Sequence, residues 1–144
     1  MARTVKALTL FSGGFACSQA VLAAFCEKYG LDETMALRVA TGFAGGMKSA
    51  EVCGAVSGAV IVIGLRYGHV DMADRESRRF AGRKVEEFMR AFRDRHGHLT
   101  CRDLLGCDIT TADGRQTAMD GKLFTTRCVD LVRDAVKILE EKGY

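Results

Sequence analysis

Apolar positions along this chain recur at spacings of three and four residues, the period of a helix that buries one stripe. The runs are separated by glycine, because the 144-residue sequence contains no proline. Gly13-Gly14, Gly30, Gly45-Gly46, Gly68, Gly97, Gly106, Gly121 and Gly143 are the punctuation marks. The pattern predicts a short amphipathic helix over about 2–11 and a second over about 15–29, with Gly30 as the residue that ends it. A third is predicted over about 32–44, with Asp32 as N-cap and Gly45-Gly46 as its stop. A fourth covers about 50–67, and a long charged helix over about 72–96 keeps Ala81, Val85, Phe88 and Phe92 on one stripe. Cys101 to Leu105 allows one short helical turn. Asp108 to Lys122 reads as a polar loop, and a last helix over about 125–142 carries Cys128, Val132, Ala135 and Leu139 on one face.

The fourth segment has two readings. Val60-Ile61-Val62-Ile63 alone resembles a buried strand. The apolar length and the Gly54-x-x-x-Gly58 spacing favour a helix, and no other run alternates cleanly to give a strand a partner. The fold class expected is therefore all-α: a single-domain helical bundle of about five to seven helices spanning residues 1–144.

Composition narrows the function. Hydrophobic residues make up 48% and charged residues 27%, the balance of a soluble globular domain large enough to bury a core unaided. The longest apolar stretch, Val52 to Leu65, would span about 21 Å as a helix where a bilayer core needs about 30 Å, so no membrane insertion is expected. No secretory leader is evident at the N-terminus, and a cytoplasmic protein is expected. Net charge is +3, but the arginines between Arg75 and Arg102 alternate with Asp74, Glu76, Glu86, Glu87 and Asp94. A nucleic-acid surface would present one sign of charge, so none is expected.

Six cysteines are the candidate chemistry: Cys17, Cys26, Cys53, Cys101, Cys107 and Cys128. Without an oxidising compartment, so many thiols suggest metal binding or redox chemistry over structural disulfides. Cys17 and Cys26, nine residues apart on one helix, fall on opposite faces, and Cys26 is set aside as a packing or exposed thiol. Cys17 follows Gly13-Gly14 in a first helical turn, where free N–H groups favour thiolate. Cys53 precedes Gly54, Ala55, Ser57 and Gly58, a face with almost no bulk against which another helix could approach. Cys101 and Cys107 bracket a turn at Gly106, outside the usual CxxC zinc and thioredoxin spacings. Cys128 lies on the last helix's apolar stripe and reads equally as core. His69, His96 and His98 are poor ligand candidates, and a cationic imidazole at His96 would suit a helix end. No Cys-x-x-Cys-His, Walker A or dinucleotide motif is present, and no hydrolase triad or carboxylate pair stands out. Whether the site turns over a substrate is left open by these residues.

Taken in order, Gly14-Phe15-Ala16-Cys17-Ser18-Gln19-Ala20-Val21-Leu22, Cys53-Gly54-Ala55-Val56-Ser57-Gly58, Cys101-Arg102-Asp103-Leu104-Leu105-Gly106 and Cys128 resemble the redox-active family labelled C_GCAxxG_C_C. Ala16 and Ser18 stand where that family usually has Asn and Ala. The resemblance implies four recurrent cysteines, at Cys17, Cys53, Cys101 and Cys128, with Cys107 a frequent fifth. Similar domains occur joined to cytochromes, which implies electron transfer and brings an iron–sulfur cluster into view.

The expectation is a redox centre built from Cys17, Cys53, Cys101 and Cys128. Either an iron–sulfur cluster is held there, or two thiols cycle with a disulfide and no cofactor is needed. The cofactor-binding set would draw on these four and Cys107, and a metal set on Cys53, Cys101, Cys107 and Cys128. Cys53 and Cys128 are expected to form the inner pair, and Cys17 to be the most acidic thiol. The rivals are a zinc or soft-metal thiolate site, and a helical interaction module with buried cysteines. The expected partner is an unidentified redox protein, and the reading allows a homodimer.

Overall fold

Close approach of two helix backbones organises this fold, and two glycines permit it. The computed structural model describes residues 2–144, which form eight α-helices joined by short helical turns. They are α1 (Ala2–Ser12), α2 (Cys17–Phe25), α3 (Glu33–Ala40), α4 (Gly54–Tyr67), α5 (Arg75–His96), α6 (Cys101–Leu105), α7 (Ala112–Asp120) and α8 (Arg127–Glu141). At the centre lies α2, with Ser18 and every residue from Ala20 to Phe25 buried, packed against α1, α3, α4 and α8. Its tightest neighbour is α4. A Cβ on Gly58 would lie 2.7 Å from the Ser18 carbonyl oxygen and 3.3 Å from Val21 Cβ, so only glycine lets the backbones meet this closely. Sequence pattern thus becomes packing at one crossing.

The remaining helices close the core from the sides. On α5, Phe88 and Phe92 are fully buried, with Val85 packed against the core's margin. The α8 stripe runs through Leu131, Val132, Ala135, Val136, Ile138 and Leu139, all buried. Burying a Phe or Leu side chain contributes about 1.5–3 kcal/mol, so these two stripes supply much of the bundle's stability. The Asp32 carboxylate accepts from Met35 N–H at 3.0 Å to start α3, and Gly30 (φ 85°) ends the turn before it. Ser18 Oγ donates to the Ala40 carbonyl at 2.8 Å, tying the α3 C-terminus to α2. That bond gives the buried serine a role that alanine could not fill.

The all-α expectation holds, and the helix count rises to eight among the described residues. The added helix is α7, inside the stretch expected to be a polar loop. Thr111 Oγ1 accepts the Gly114 N–H at 2.9 Å, Asp113 sits in the first turn, and Ala118 is buried beneath. Capping and one small buried contact outweigh a polar composition here. The second correction concerns the start of α4, expected near 50. The chain instead runs left-handed through Gly45 (φ 65°), Gly46 (φ 64°), Met47 (φ 60°) and Lys48 (φ 57°), with Ala50 at φ 56°. For a residue with a Cβ this conformation costs about 1–2 kcal/mol. The next residues are held by neighbours: Cys101 N–H donates to the Glu51 carbonyl at 2.6 Å and Cys53 N–H to the Leu99 carbonyl at 2.8 Å. Val52 and Thr100 form an isolated antiparallel bridge between them. Cys53 is thereby the N-cap of α4 rather than a residue on its face.

Candidate functional site

Sulfur reaches one place from four directions. Cys17 stands at the first residue of α2, Cys53 at the N-cap of α4, Cys101 at the first residue of α6, and Cys128 in the first turn of α8. All four line a single cavity of about 160 Å³. Its other walls are apolar or bare backbone: Phe11, Leu105, Ile109, Phe124 and Leu131, with Gly45, Gly46 and Gly54. No histidine, carboxylate or cation is part of the lining. Two of these helix starts direct backbone N–H groups at their cysteine, Ser18 at Cys17 and Ala55 and Val56 at Cys53.

Cys17 and Cys53 are the pair that interact most strongly. Gly54 makes this possible, since a Cβ there would overlap Cys17 Sγ and come within 3.2 Å of Ser18 N and 3.3 Å of the Phe43 carbonyl oxygen. A hydrogen bond from Cys53 holds Cys17 down to about 7, aided by N–H groups of Ser18 and Gly45 and opposed by burial. The left-handed turn is what aims the Gly45 N–H at this sulfur. Cys53, 5% exposed, moves the other way: the same hydrogen bond and its burial raise it well above the ordinary thiol value. The arrangement is one thiolate receiving one thiol proton. Cys17 as a residue is half-buried.

The other thiols remain protonated. Desolvation pushes Cys101 up to about 11 and Cys128 to about 12, and the Cys17 charge adds to both. Arg127, beside Cys128, joins their helices by donating from Nε to the Leu104 carbonyl of α6 at 3.2 Å. Its Nη1 also lies 3.1 Å from His96 Nδ1. His96 is nearly enclosed, with Nε2 2.9 Å from Asp134 Oδ2 but poorly aligned for a hydrogen bond. Burial and the neighbouring Arg127 charge lower its pKa.

The predicted site residues therefore divide. Cys17, Cys53, Cys101 and Cys128 meet, and Cys107 lies off the cavity wall, beyond Gly106 but within electrostatic reach of Cys101 and Cys128. Cys26 is buried in the core, donating to the Ala23 carbonyl at 3.5 Å. The inner pair is Cys17 with Cys53 rather than Cys53 with Cys128, because Gly54 leaves the space beside Cys17. Among the described residues no group of three or more His, Cys, Asp or Glu side chains is arranged to hold one metal ion. The proposed metal set of Cys53, Cys101, Cys107 and Cys128 thus does not close as a coordination shell. Two contributors were missed from the sequence, Gly45 and Gly46. They were read as a helix stop, although a double glycine ahead of a cysteine is also a sign of backbone approach.

A helical bundle that gathers four cysteines around one cavity has the site expected of a redox-active protein. The family model described as "Putative redox-active protein (C_GCAxxG_C_C)" matches residues 15–142, and the chain belongs to that family. Comparison with curated proteins and with solved structures gave no match.

Proposed function

We propose that this protein carries electrons by thiol–disulfide exchange at Cys17 and Cys53. The observation that carries the reading is the convergence of Cys17 and Cys53, each at a helix start, on one cavity, where their interaction lowers the Cys17 pKa and raises that of Cys53. The thiolate is the nucleophile in such exchange, and its helix N-terminus is the setting that favours it. Cys17 thiolate attacks one sulfur of a disulfide on the redox partner, whose other sulfur leaves as thiolate. Cys53 then gives up its proton to that leaving thiolate and attacks Cys17 Sγ, expelling the second partner sulfur. The partner disulfide gains two electrons and becomes a dithiol. Cys17 and Cys53 lose two and become a disulfide. Cys101 and Cys128 face the same cavity as protonated thiols in reserve.

An iron–sulfur centre is the second reading, favoured by the convergence of four sulfurs on one cavity. The present donor arrangement does not fit it, since no three sulfurs are gathered around one point. Anaerobic purification followed by iron and acid-labile sulfide analysis separates the readings. The thiol couple is expected to give colourless protein that loses two titratable thiols per chain on mild oxidation, with Cys17 cross-linked to Cys53 in peptide mass spectra. Stoichiometric iron and sulfide with visible absorbance would overturn it.

A further inference from the structure

A second cavity adjoins the thiol cavity and carries charge where the first has none. It holds about 220 Å³ and shares two wall residues with its neighbour, Gly45 and Ile109. Its other walls are Lys48, Thr110 and Arg115, and no acidic residue lines it. We propose that Lys48 and Arg115 form an anion-binding subsite, and that the disulfide exchanged at Cys17 is a small one bearing carboxylates close to its sulfur atoms. The inference rests on the exchange reading and adds to it the class of substrate.

Placement of the cations is the first argument. Lys48 lies on the same left-handed turn as Gly45, at a backbone angle (φ 57°) that residues with a side chain rarely adopt. Strain of this kind gathers at ligand sites. Arg115 lines the same space from the first turn of α7. Unspent charge is the second argument. Among the described residues neither Lys48 nor Arg115 forms an ion pair. Asp108, next to Ile109, is already engaged: its Oδ1 accepts from the Thr110 N–H at 2.9 Å and the Thr110 hydroxyl at 2.5 Å, and its Oδ2 lies 3.9 Å from Arg102 Nε. Asp113 is two residues from Arg115 on α7, a spacing that keeps their side chains apart.

Charge balance is the third argument. A Cys17 thiolate repels an anionic disulfide, so unaided chemistry favours a cationic disulfide over a neutral one and a neutral one over an anionic one. Two unpaired cations beside the cavity reverse that order for a substrate whose carboxylate enters the second space while its sulfur meets Cys17. The apolar Phe11, Leu105 and Phe124 walls of the first space offer no other hold on a polar substrate. Together the two spaces reach the lower end of the range for small-molecule sites, about 300–1,000 Å³. In the reaction, the Cys17 thiolate bonds to the near sulfur, the substrate S–S bond breaks, and the far half leaves as thiolate and takes the Cys53 proton. Cys53 then displaces the near half from Cys17. The substrate gains two electrons and ends as two reduced halves, and Cys17 and Cys53 end as a disulfide, with no further oxidant.

The test uses the whole reduced chain at neutral pH and low salt, with three small disulfides: anionic dithiodiglycolate, neutral hydroxyethyl disulfide and cationic cystamine. Formation of the Cys17–Cys53 bond is timed by mass spectrometry, and each rate is divided by that of free mercaptoethanol with the same disulfide, which removes differences in leaving group. Dithiodiglycolate is expected to be favoured about ten-fold over the neutral compound, with cystamine behind both. The advantage should collapse in about 0.5 M salt. Lys48→Gln with Arg115→Gln should bring the anionic-to-neutral ratio to about one or below. Arg75→Gln with Arg79→Gln removes the same charge on α5, outside both cavities, and should leave the ratio unchanged. Arg115→Gln alone does not touch the left-handed turn and should lose part of the advantage, so a misfolded double variant does not end the test. Reaction with the neutral disulfide but no anionic preference would overturn this inference alone. A preference that falls equally in the Arg75 and Arg79 variant would overturn it as well, by showing a general charge effect. Failure of all three disulfides to link Cys17 to Cys53 would overturn the exchange reading and the subsite with it.

Discussion

Cys53→Ala isolates the strongest influence on the reactive sulfur. In the native site the Cys53 hydrogen bond is the largest cause that brings Cys17 from the ordinary thiol value near 9.0 to about 7. Without it, the Ser18 and Gly45 N–H groups must work alone against burial, and the Cys17 midpoint should climb toward 9. At neutral pH the thiolate fraction then falls from about one half to about one in a hundred, roughly fifty-fold. A more basic thiolate is also a better nucleophile, and a Brønsted slope of about 0.45 over two units returns about eight-fold. The net is a rate at pH 7 slower by about six-fold, with an alkaline plateau faster by about eight-fold. Iodoacetamide alkylation of the Cys17 peptide, followed by mass spectrometry from about pH 5.5 to 10.5, covers both midpoints. The two profiles must cross. A variant that folds, by circular dichroism, yet keeps its midpoint near 7 would show that Cys53 does not set the acidity of Cys17.

Three further outcomes follow from the geometry. Gly58→Ala puts a Cβ 2.7 Å from the Ser18 carbonyl oxygen, and overpacking of about 1–3 kcal/mol outweighs a helix-propensity gain of at most about 1 kcal/mol. Its urea midpoint should fall, and an unchanged or higher midpoint would contradict the close α2–α4 crossing. Thr111→Ala removes the α7 cap and should cost about 1 kcal/mol, read as faster hydrogen exchange confined to residues 112–120. Equal exchange would mean the cap is idle. In alkali, Cys101 and Cys128 keep protons up to about 11 and about 12, while in the unfolded chain they ionise near 9.0. Their raised values contribute stability that is complete below 9 and lost as pH rises through the folded values. Tyr144, held up to about 12 by burial, acts in the same direction, so the readout is the comparison with Cys128→Ser. That variant should lose stability less steeply above pH 9, and parallel curves would refute the assignment.

The helices were legible where a stripe of large apolar residues had to be buried. Phe88 and Phe92 of α5 and the Val132, Ala135 and Leu139 row of α8 follow the sequence period directly. The α7 helix was not, because its burial is one alanine and its stability comes from Thr111 and Asp113 at the cap. The left-handed turn through Met47 and Lys48 was illegible for another reason. These residues disfavour that conformation on their own; the Glu51 N–H closes the turn onto the Gly46 carbonyl at 3.1 Å, and Cys101 and Cys53 fix the residues that follow through bonds to Glu51 and Leu99. Four of the candidate cysteines could be named in advance, but which two touch depends on Gly54 facing Cys17 across a helix crossing. Pairing is a property of packing, and no spacing along the chain encodes it.

The four thiols of the cavity are an ordered set, because the site tolerates one charge. Cys17 ionises first, having the N–H groups of Ser18 and Gly45 and the Cys53 proton directed at it. Its charge then contributes to holding Cys101 and Cys128 protonated, second only to their desolvation. Forming a disulfide between Cys17 and Cys53 removes that charge from the cavity. The electrostatic cause acting on the outer thiols disappears while the burial cause persists, so Cys101 and Cys128 become more acidic than before without becoming acidic. On the exchange reading, the oxidation state of the inner pair would set the readiness of the outer one. Neither state presents two competing nucleophiles at neutral pH. On the same reading, this ordering would let four sulfurs share a space of about 160 Å³ and react one at a time.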